Sequence, residues 1–324
     1  MTMISLITTF YNAEKTISDT IKSTLNQTYN NFEHILVDDG STDSTADIIH
    51  NIDSSLKIFK PGRIGRANAL NYAINKSTGE YIAILDADDL CFKNRLEVQN
   101  KILDNNKDIS LTFSNAYYFD NNNKDIGISN FPLSHDDIVL NFKRLNPFPA
   151  SSAMYRRKDF LETRGYNTKC LKSLDFNLYL EFLLNHKKFS GNADPLIKVR
   201  LDDQSWGKND NESLQLRYGI IGLINYNIEK NFILKSLYDY SDNDWSYFLK
   251  IYDKWFLKMK FHKKDTSKKF FHKAKLNFRD KMFLYSFINF LKAFYIDPKF
   301  IFYRGIGFDF EKDIKNFLAN YDIN

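Results

Sequence analysis

The chain has 324 residues, of which 43% are hydrophobic and 16% aromatic, and its formal net charge is +5. This length is enough for one large domain or two domains, and the hydrophobic content excludes an intrinsically disordered protein. The two cysteines, Cys91 and Cys170, are far apart and lack metal-type spacing, so we expect a reducing, cytoplasmic setting without disulfides. We expect neither a secretion signal nor a membrane span, because no apolar run reaches the roughly 20 residues that a span requires.

Strand and helix patterns alternate through the first third of the sequence. Strands are predicted at residues 3–9, 32–37, 56–59 and 79–85. Helices are predicted at 13–28, 65–75 and 94–105, and a further helix follows the second strand and ends at residue 49. This alternation is typical of βαβ units, and it predicts an α/β fold with a mainly parallel sheet flanked by helices. In such sheets, ligands bind at the carboxyl ends of the strands.

The second part of the sequence has fewer regular patterns. Strands are predicted at 111–113, 151–155 and 196–201, a polar loop at 120–125 and a helix at 174–185. Beyond residue 205 the pattern changes to long stretches rich in Phe, Tyr, Leu and Lys at helical spacing. We therefore predict two domains, residues 1–205 as the ligand-binding α/β domain and residues 206–324 as a helical, basic and aromatic C-terminal region.

Three carboxylates follow the predicted strand at 79–85. Asp86, Asp88 and Asp89 stand within four positions directly after an apolar run. Carboxylates this close repel one another unless a cation lies among them, and oxygen ligands of this kind bind Mg²⁺ or Mn²⁺ together with substrate phosphates. The pattern therefore predicts a divalent metal ion and a phosphorylated ligand. The alternative is a plain acidic turn before a helix that starts near Lys93.

A second acidic segment follows the predicted strand at 32–37. It contains Asp38, Asp39 and Asp43 around a glycine turn that leads into a helix. Because the carboxyl ends of parallel strands share one edge of a sheet, we expect both acidic segments to line the same crevice. Two independent segments thus predict a single binding site.

Four segments together resemble the signatures of family 2 glycosyltransferases, a large inverting group with the GT-A fold. The resemblance covers roughly residues 1–203, and four signatures in the right order argue against a chance match. One departure is Leu174, which stands where many members of the family have Glu. The segments are Ser5-Leu6-Ile7-Thr8-Thr9-Phe10-Tyr11-Asn12, Val37-Asp38-Asp39-Gly40-Ser41-Thr42-Asp43, Leu85-Asp86-Ala87-Asp88-Asp89, and Gly165-Tyr166 with Leu174-Asp175-Phe176-Asn177-Leu178-Tyr179-Leu180.

The resemblance implies a pocket for the nucleobase of a nucleotide sugar. Tyr11 would stack on the base, Thr9 would help to shape the pocket, and Asp39 would accept a hydrogen bond from a uracil-type N3–H. Without the resemblance, Tyr11 is equally well explained as an aromatic residue of the core. Asp39 would then be a turn or helix cap, although Asp38 and Asp43 suit that role better.

The resemblance also implies a metal and diphosphate site. Asp86 would hold the ribose or a metal-bound water, Asp88 would ligate Mn²⁺ or Mg²⁺ at the diphosphate, and Asp89 would fix a donor-sugar hydroxyl or an arginine. Arg66 or Arg63 would add positive charge to this clamp. The alternative for both arginines is a solvated side chain.

A catalytic base is implied at Asp175, which would take the proton of the acceptor hydroxyl. Without the resemblance, an aspartate in the first turn of a helix is a helix cap. We expect Arg95 to be structural and tied to the acidic loop. Arg200 with 202–204 resembles a loop that closes over the donor in relatives.

The C-terminal region is strongly basic in one segment. Residues 254–281 contain eleven lysines or arginines against two aspartates, interleaved with Phe and Trp. This pattern suits a helix on an anionic membrane surface at the inner face of the cytoplasmic membrane. The alternative is a helical subdomain with inward apolar faces, or a homodimer surface. Nucleic acid is not an expected partner, because no recognised module accompanies the charge.

Glycosyl transfer is the function that these patterns and the resemblance predict. We expect a metal-dependent, inverting enzyme that transfers a sugar from a nucleotide donor, with UDP as the expected nucleotide, to a glycan or lipid-linked acceptor of a surface polysaccharide. Two alternatives stay open: a noncatalytic carbohydrate- or partner-binding protein on the same fold, and a nucleotidyltransferase. The latter class should carry a Gly-rich basic loop after the first strand, where Thr9-Phe10-Tyr11-Asn12 stands without glycine.

Overall fold

The computed structural model describes residues 1–142, 148–201, 211–230 and 236–258. The strands are β1 (Ile4–Phe10), β2 (Phe32–Asp38), β3 (Ile58–Phe59), β4 (Tyr81–Ile84), β5 (Leu90–Cys91), β6 (Ile109–Phe119), β7 (Asp125–Ile128), β8 (Met154–Arg156) and β9 (Lys188–Arg200). The α-helices are α1 (Ile17–Leu25), α2 (Thr45–Ile52), α3 (Arg66–Lys76), α4 (Arg95–Asn105), α5 (His135–Phe142), α6 (Arg157–Leu161), α7 (Leu174–Leu184), α8 (Asn211–Lys230) and α9 (Asp242–Lys258), with 3-10 turns at Ala150–Ser152 and Leu237–Asp239.

The described strands form one sheet in the order β3-β2-β1-β4-β8-β6-β9-β5, with β7 also paired to β6. Strands β3, β2, β1 and β4 run parallel to one another. Strand β8 runs antiparallel to both β4 and β6, whereas β9 runs parallel to β6. The predicted α/β fold is confirmed, and its fully parallel part is the half built from β1 to β4.

The core lies on both faces of the parallel half. Strand β1 is buried along almost its whole length, as expected for a strand covered by helices on both sides rather than by solvent on one. Two apolar clusters result, one against α4 and one against α1. Leu6, Ala83, Leu96 and Leu103 belong to the first cluster, and Phe10, Ile17, Ile21 and Leu36 belong to the second.

The first helix is shorter than the predicted range of 13–28. Asn12 has a positive φ of 50°, which ends β1 sharply, and residues 13–16 form a turn rather than a full helical segment. The backbone N–H of Ala13 donates to Thr45 Oγ1 at 2.8 Å, so the turn is fastened to the start of α2. These long-range contacts fix the position of the segment that follows β1.

Strand β6 is longer than the predicted range of 111–113, because buried polar residues interrupt its apolar pattern. Ser114 and Asn115 are both buried, and the sheet register shifts beside them. The Asn115 side chain donates to the Ala193 carbonyl at 2.8 Å, which supports the irregular pairing of β6 with β9. The predicted polar loop at 120–125 is a turn that leads into β7.

The chain divides into two compact units, Met1–Lys208 with Leu214–Tyr226, and Asn209–Ser213 with Asn227–Asn324. In the second unit, Trp245, Phe248 and Tyr252 are buried at helical spacing along α9. None of the described helices combines the length and the apolar character needed to cross a bilayer. Most of the basic segment at 254–281 lies outside the described residues, and the domain boundary at 205 stays a prediction.

Candidate active site

Seven residues to which the sequence analysis gave a role in ligand binding line one cleft of about 710 Å³. The cleft lies where β1, β2 and β4 end, because their parallel register places Phe10 beside Asp38 and Ile7 beside Ile84. The structure thus brings both acidic segments to one crevice. These seven residues are Thr9, Tyr11, Asp39, Arg63, Arg66, Asp86 and Asp88.

Asp39 is buried and holds the loop that leads into α3. Its Oδ1 accepts hydrogen bonds from the backbone N–H groups of Ile64 and Gly65, both at 2.8 Å, and its Oδ2 accepts from Arg63. The neighbouring Gly40 has a φ of 82°, and a Cβ there would lie 3.1 Å from the backbone nitrogen of Arg63. The glycine therefore permits a close approach of the two loops that no other residue could match without strain.

Tyr11 is 45% exposed, so the alternative that it packs into the core is wrong. The guanidinium carbon of Arg63 lies 3.6 Å from the centre of its ring. Arg63 therefore contacts the Tyr11 and Asp39 end of the cleft, and its part in the diphosphate clamp stays a prediction. Thr9, at the end of β1, is half-buried in the same cleft wall.

Asp86, Asp88 and Asp89 offer carboxylate oxygens that lie within 4.8 Å of one another. Oxygen donors in this arrangement fit a hard divalent cation such as Mg²⁺ or Mn²⁺. Desolvation and the charge of Asp86 raise the pKa of Asp88 to about 6. Burial, with the charges of Asp88 and Asp86, raises the pKa of Asp89 well above its usual range. A cation among these groups would reverse that mutual repulsion.

Arg66, the first residue of α3, is paired rather than solvated. Its Nη2 donates to Asp86 Oδ1 at 2.6 Å. The pKa of Arg66 is raised mainly by the charge of Asp86, with smaller contributions from Asp175 and Asp88. Arg66 therefore balances part of the negative charge of these carboxylates, and Arg200 adds to it at Asp88.

Asp175 lies in the first turn of α7 and is half-buried. The preceding Ser173 adopts a left-handed backbone conformation with a φ of 55°, which turns the chain sharply into the helix. Burial raises the pKa of Asp175, and the positive charge of Arg66 opposes this rise. The Asp175 carboxylate is thus coupled electrostatically to the Arg66 and Asp86 pair, although it does not itself line the cleft of about 710 Å³.

Two arginines differ in role. Arg95 is fully buried and donates to the backbone carbonyls of Ile84 and Ala153 at 2.9 and 3.2 Å. It is structural as expected, but the partners of its side chain are these two carbonyls and the Gln99 side chain rather than the acidic loop. Arg200 Nε donates to the Asp88 carbonyl at 3.2 Å, so Arg200 does touch the acidic loop. Residues 202–204, predicted to close over the donor, lie outside the described residues.

Ser151 is a member of the site that the sequence analysis missed. Its hydroxyl lies between the backbone of Asp86 and the side chain of Asp89. The only sequence signal was a pair of serines after Pro149, a pattern too common to indicate a site. Ser151 reaches the acidic loop because β8 pairs antiparallel with β4, and this pairing cannot be predicted from the spacing of apolar residues.

Comparison with known proteins decides the family. The model of the family described as Glycosyl transferase family 2 matches residues 5–165. The chain is 31% identical over 237 residues to the UDP-Glc:alpha-D-GlcNAc-diphosphoundecaprenol beta-1,3-glucosyltransferase WfgD of Escherichia coli, an alignment that covers 68% of this chain and 85% of WfgD. The chain belongs to glycosyltransferase family 2. This membership sets aside the nucleotidyltransferase alternative.

Solved structures agree with the fold of this family 2 glycosyltransferase. S. aureus TarS 1-349 in complex with UDP matches with a TM-score of 0.54 at 19% identity, over 70% of this chain and 65% of that chain. The mannosyltransferase PcManGT from Pyrobaculum calidifontis, in complex with GDP-Man and Mn²⁺, matches with a TM-score of 0.51 at 18% identity, over 72% of this chain and 65% of that chain. The predicted GT-A fold is confirmed.

Proposed function

We propose that this family 2 glycosyltransferase uses a UDP-sugar and a divalent metal ion, and transfers the sugar with inversion to a hydroxyl of a glycan or lipid-linked acceptor. The observation that carries the proposal is the meeting of Asp39, Asp86 and Asp88 in one cleft at the carboxyl ends of three parallel strands. A cleft of about 710 Å³ has the size of a ligand pocket. A divalent cation would offset the charge of the acidic walls that Arg66 leaves unbalanced, and the diphosphate would bind to that cation.

The nucleobase would bind at the end of the cleft formed by Thr9, Tyr11 and Asp39. Tyr11 offers an exposed ring for stacking, and Asp39 offers carboxylate lone pairs for an N3–H donor. UDP is the nucleotide of the glucose donor in the name of WfgD and is bound in the TarS complex. The GDP-Man complex of PcManGT makes GDP the competing choice that an experiment must test.

Asp88 and Asp86 would hold Mn²⁺ or Mg²⁺ at the diphosphate. A bound divalent cation supplies Lewis-acid stabilisation of the negative charge that develops on the leaving nucleoside diphosphate. Arg66 would contribute a second positive charge, because it already lies 2.6 Å from Asp86 Oδ1. Asp89 is the deeper carboxylate of the cluster, with both of its oxygens turned to protein donors.

Asp175 would act as the general base. It would take the proton from the acceptor hydroxyl while the hydroxyl oxygen attacks the anomeric carbon on the face opposite the leaving group, which inverts the configuration. Its raised pKa suits a proton acceptor at neutral pH better than an ordinary aspartate would. The charge interaction between Asp175 and Arg66 is consistent with a base that lies near the donor side of the site.

The acceptor in the name of WfgD is a sugar joined by a diphosphate to a lipid. We extend this class of acceptor to the present enzyme, which would then work at the surface of a membrane and contribute to surface polysaccharide synthesis. Contact with an anionic bilayer or with a second copy through the basic segment stays part of this proposal. Deleting residues after 240 and measuring co-sedimentation with anionic liposomes tests the membrane contact, and unchanged sedimentation would contradict it.

Calorimetric titration with UDP, with and without Mn²⁺, tests the central proposal. We expect metal-dependent UDP binding by the wild type, weaker metal-dependent binding by Asp88→Ala, and nearly intact binding without sugar transfer by Asp175→Asn. GDP serves as the competing nucleotide in the same titration. Equal titrations of wild type and Asp88→Ala would refute the metal assignment. Wild-type binding without transfer to any of a panel of acceptors would favour the noncatalytic alternative.

A further inference from the structure

Ser151 lies at the junction of the acidic loop and the returning chain. It belongs to the 3-10 turn Ala150–Ser152, which directly precedes β8, and its side chain is fully buried. Because β8 pairs antiparallel with β4, with Met154 opposite Ala83, the residues before β8 run past the end of β4. The acidic loop starts at that end. The topology therefore places a hydroxyl beside the carboxylates without any contribution from local sequence.

The Ser151 hydroxyl makes two hydrogen bonds, one as the acceptor and one as the donor. The backbone N–H of Asp86 donates to Oγ at 3.0 Å, so Oγ is the acceptor in this contact. A serine hydroxyl carries one proton, and that proton points to Asp89 Oδ2. The other oxygen of Asp89 accepts from the backbone N–H of Arg200 at 2.9 Å. One hydroxyl and one carboxylate thus join the acidic loop, the turn before β8 and the end of β9.

We propose that Ser151 is a positioning residue of the metal and diphosphate site, and that it acts through Asp89. Its hydroxyl would keep the loop from Asp86 to Asp89 in the conformation that presents Asp86 and Asp88 to the cation. Asp89 would then support the loop rather than contact the donor sugar, since both of its oxygens face donors inside the protein. This inference rests on the metal site of the proposed function.

The neighbouring Ser152 provides a matched control. It is equally buried in the same turn, but its hydroxyl donates to the Pro149 carbonyl at 2.7 Å and does not reach the acidic loop. Replacing either serine with alanine removes one buried hydroxyl from the same segment. A difference between the two variants therefore reports the contact with the acidic loop rather than the loss of a buried hydrogen bond in general.

The experiment measures the Mn²⁺ concentration at which UDP binding is half-saturated, by calorimetry on the full chain, together with UDP affinity without metal. Removing partners that orient metal ligands typically reduces metal affinity about 10- to 100-fold, so we expect Ser151→Ala to need about 10- to 100-fold more Mn²⁺. Metal-free UDP affinity should stay within about twofold of the wild type, and Ser152→Ala should match the wild type in both measurements.

A second variant covers the case in which Ser151→Ala does not fold. Asp89→Asn removes the charged acceptor of the same hydrogen bond, and we expect it to raise the Mn²⁺ requirement similarly. Because Ser151 acts through Asp89, the effects of the two substitutions should not add. The double variant should therefore bind Mn²⁺ with about the same affinity as the single variant that has the lower Mn²⁺ affinity. Fully additive effects would contradict the proposed path.

The outcomes separate this inference from the proposed function. A wild-type chain that binds UDP equally with and without Mn²⁺ would overturn both the metal site and the role of Ser151. A metal-dependent wild type with an equal Mn²⁺ requirement in Ser151→Ala and Asp89→Asn would overturn the role of Ser151 alone. An equal loss in Ser151→Ala and Ser152→Ala would also overturn it, because the effect would then belong to the turn as a whole.

Discussion

The guanidinium of Arg63 lies 3.6 Å from the centre of the Tyr11 ring while its Nη1 donates to the carboxylate of Asp39. One side chain thus contacts two of the three residues that we assign to the nucleobase. A base that stacks on this face of Tyr11 and donates to Asp39 has to replace Arg63 at both contacts. Arg63 is 56% exposed, so it has room to rotate away.

We therefore predict that Arg63→Ala binds uridine more tightly than the wild type. An exposed cation–π contact contributes about 0.5–1 kcal/mol, which corresponds to a gain of about two- to fivefold when the competitor is removed. Isothermal calorimetry with uridine, which lacks phosphates, isolates the base contact. Weaker binding by the variant would mean that Arg63 holds the base instead of competing with it.

A second prediction separates Arg66 from Arg63. Arg66→Gln should weaken metal-free UDP binding about 10- to 100-fold, because a hydrogen bond to a charged group contributes about 1.5–3 kcal/mol. The same variant should leave uridine binding unchanged, since its contact is with Asp86 rather than with Tyr11 or Asp39. Arg63→Gln serves as the control, because it removes the same positive charge at the other end of the cleft. The assignment would be wrong if both variants lost UDP affinity equally.

The pH profile of the transfer reaction tests Asp175. Burial raises the pKa of its carboxyl, so the carboxyl takes up a proton at a higher pH than an ordinary aspartate. A general base is active only when deprotonated, and kcat/KM should therefore fall as the pH is lowered through this raised pKa. Asp175→Glu is the informative variant, because it keeps the carboxyl and should shift the acidic limb. Circular dichroism at each pH ensures that the loss is not unfolding, and a limb that stays in place would argue for another base.

A fourth prediction concerns stability at mildly acidic pH. His34, on β2, lies between two threonines: its Nδ1 is 3.3 Å from Thr24 Oγ1 and its Nε2 is 3.1 Å from Thr8 Oγ1. The Thr24 hydroxyl proton goes to the Ile21 carbonyl, so Nδ1 is the donor and Nε2 accepts from Thr8. The imidazole is thus held in its neutral form, and burial lowers the pKa of His34 to about 3.

The unfolded chain binds a proton at His34 below about pH 6.5, whereas the folded chain does so only near pH 3. The contribution of this group to the free energy of unfolding is therefore complete above pH 6.5 and is lost progressively as the pH falls. Between pH 7 and pH 5 we expect a loss of about 2 kcal/mol that His34→Gln does not suffer. Urea unfolding at both pH values measures it, with His50→Gln at an exposed position as the control. Parallel losses in all three proteins would contradict the prediction.

The parts of the site that follow parallel strands were predictable from the sequence. Asp86 comes directly after an apolar run and Asp39 two positions after one, and the rules of βαβ topology bring such positions to one edge without knowledge of the side chains. The assignment of Asp175 needed the family resemblance, because an aspartate in the first turn of a helix has an equally good explanation as a cap.

The contacts made by side chains across the fold were not predictable in this way. Ser151 reaches the acidic loop only because β8 inserts antiparallel beside β4, and Arg63 reaches Tyr11 only because Gly40 allows two loops to approach closely. The length of strand β6 was underestimated for a related reason, because the buried polar side chain of Asn115 supports an irregular register. The spacing of apolar and polar residues predicts regular helices and strands. It does not predict these three features, because each depends on residues that are far apart in the sequence or that interrupt the regular spacing.

The insertion of β8 between β4 and β6 has a consequence for exchanging parts among relatives. A hybrid enzyme that joins residues 1–142 of this chain to the corresponding later part of a relative would take the turn before β8 from that relative. That junction would replace the turn that contains Ser151, which hydrogen-bonds to the loop from Asp86 to Asp89. Hybrids joined after Arg156, which keep the native turn and β8 with the first half, should retain donor affinity where the earlier junction loses it.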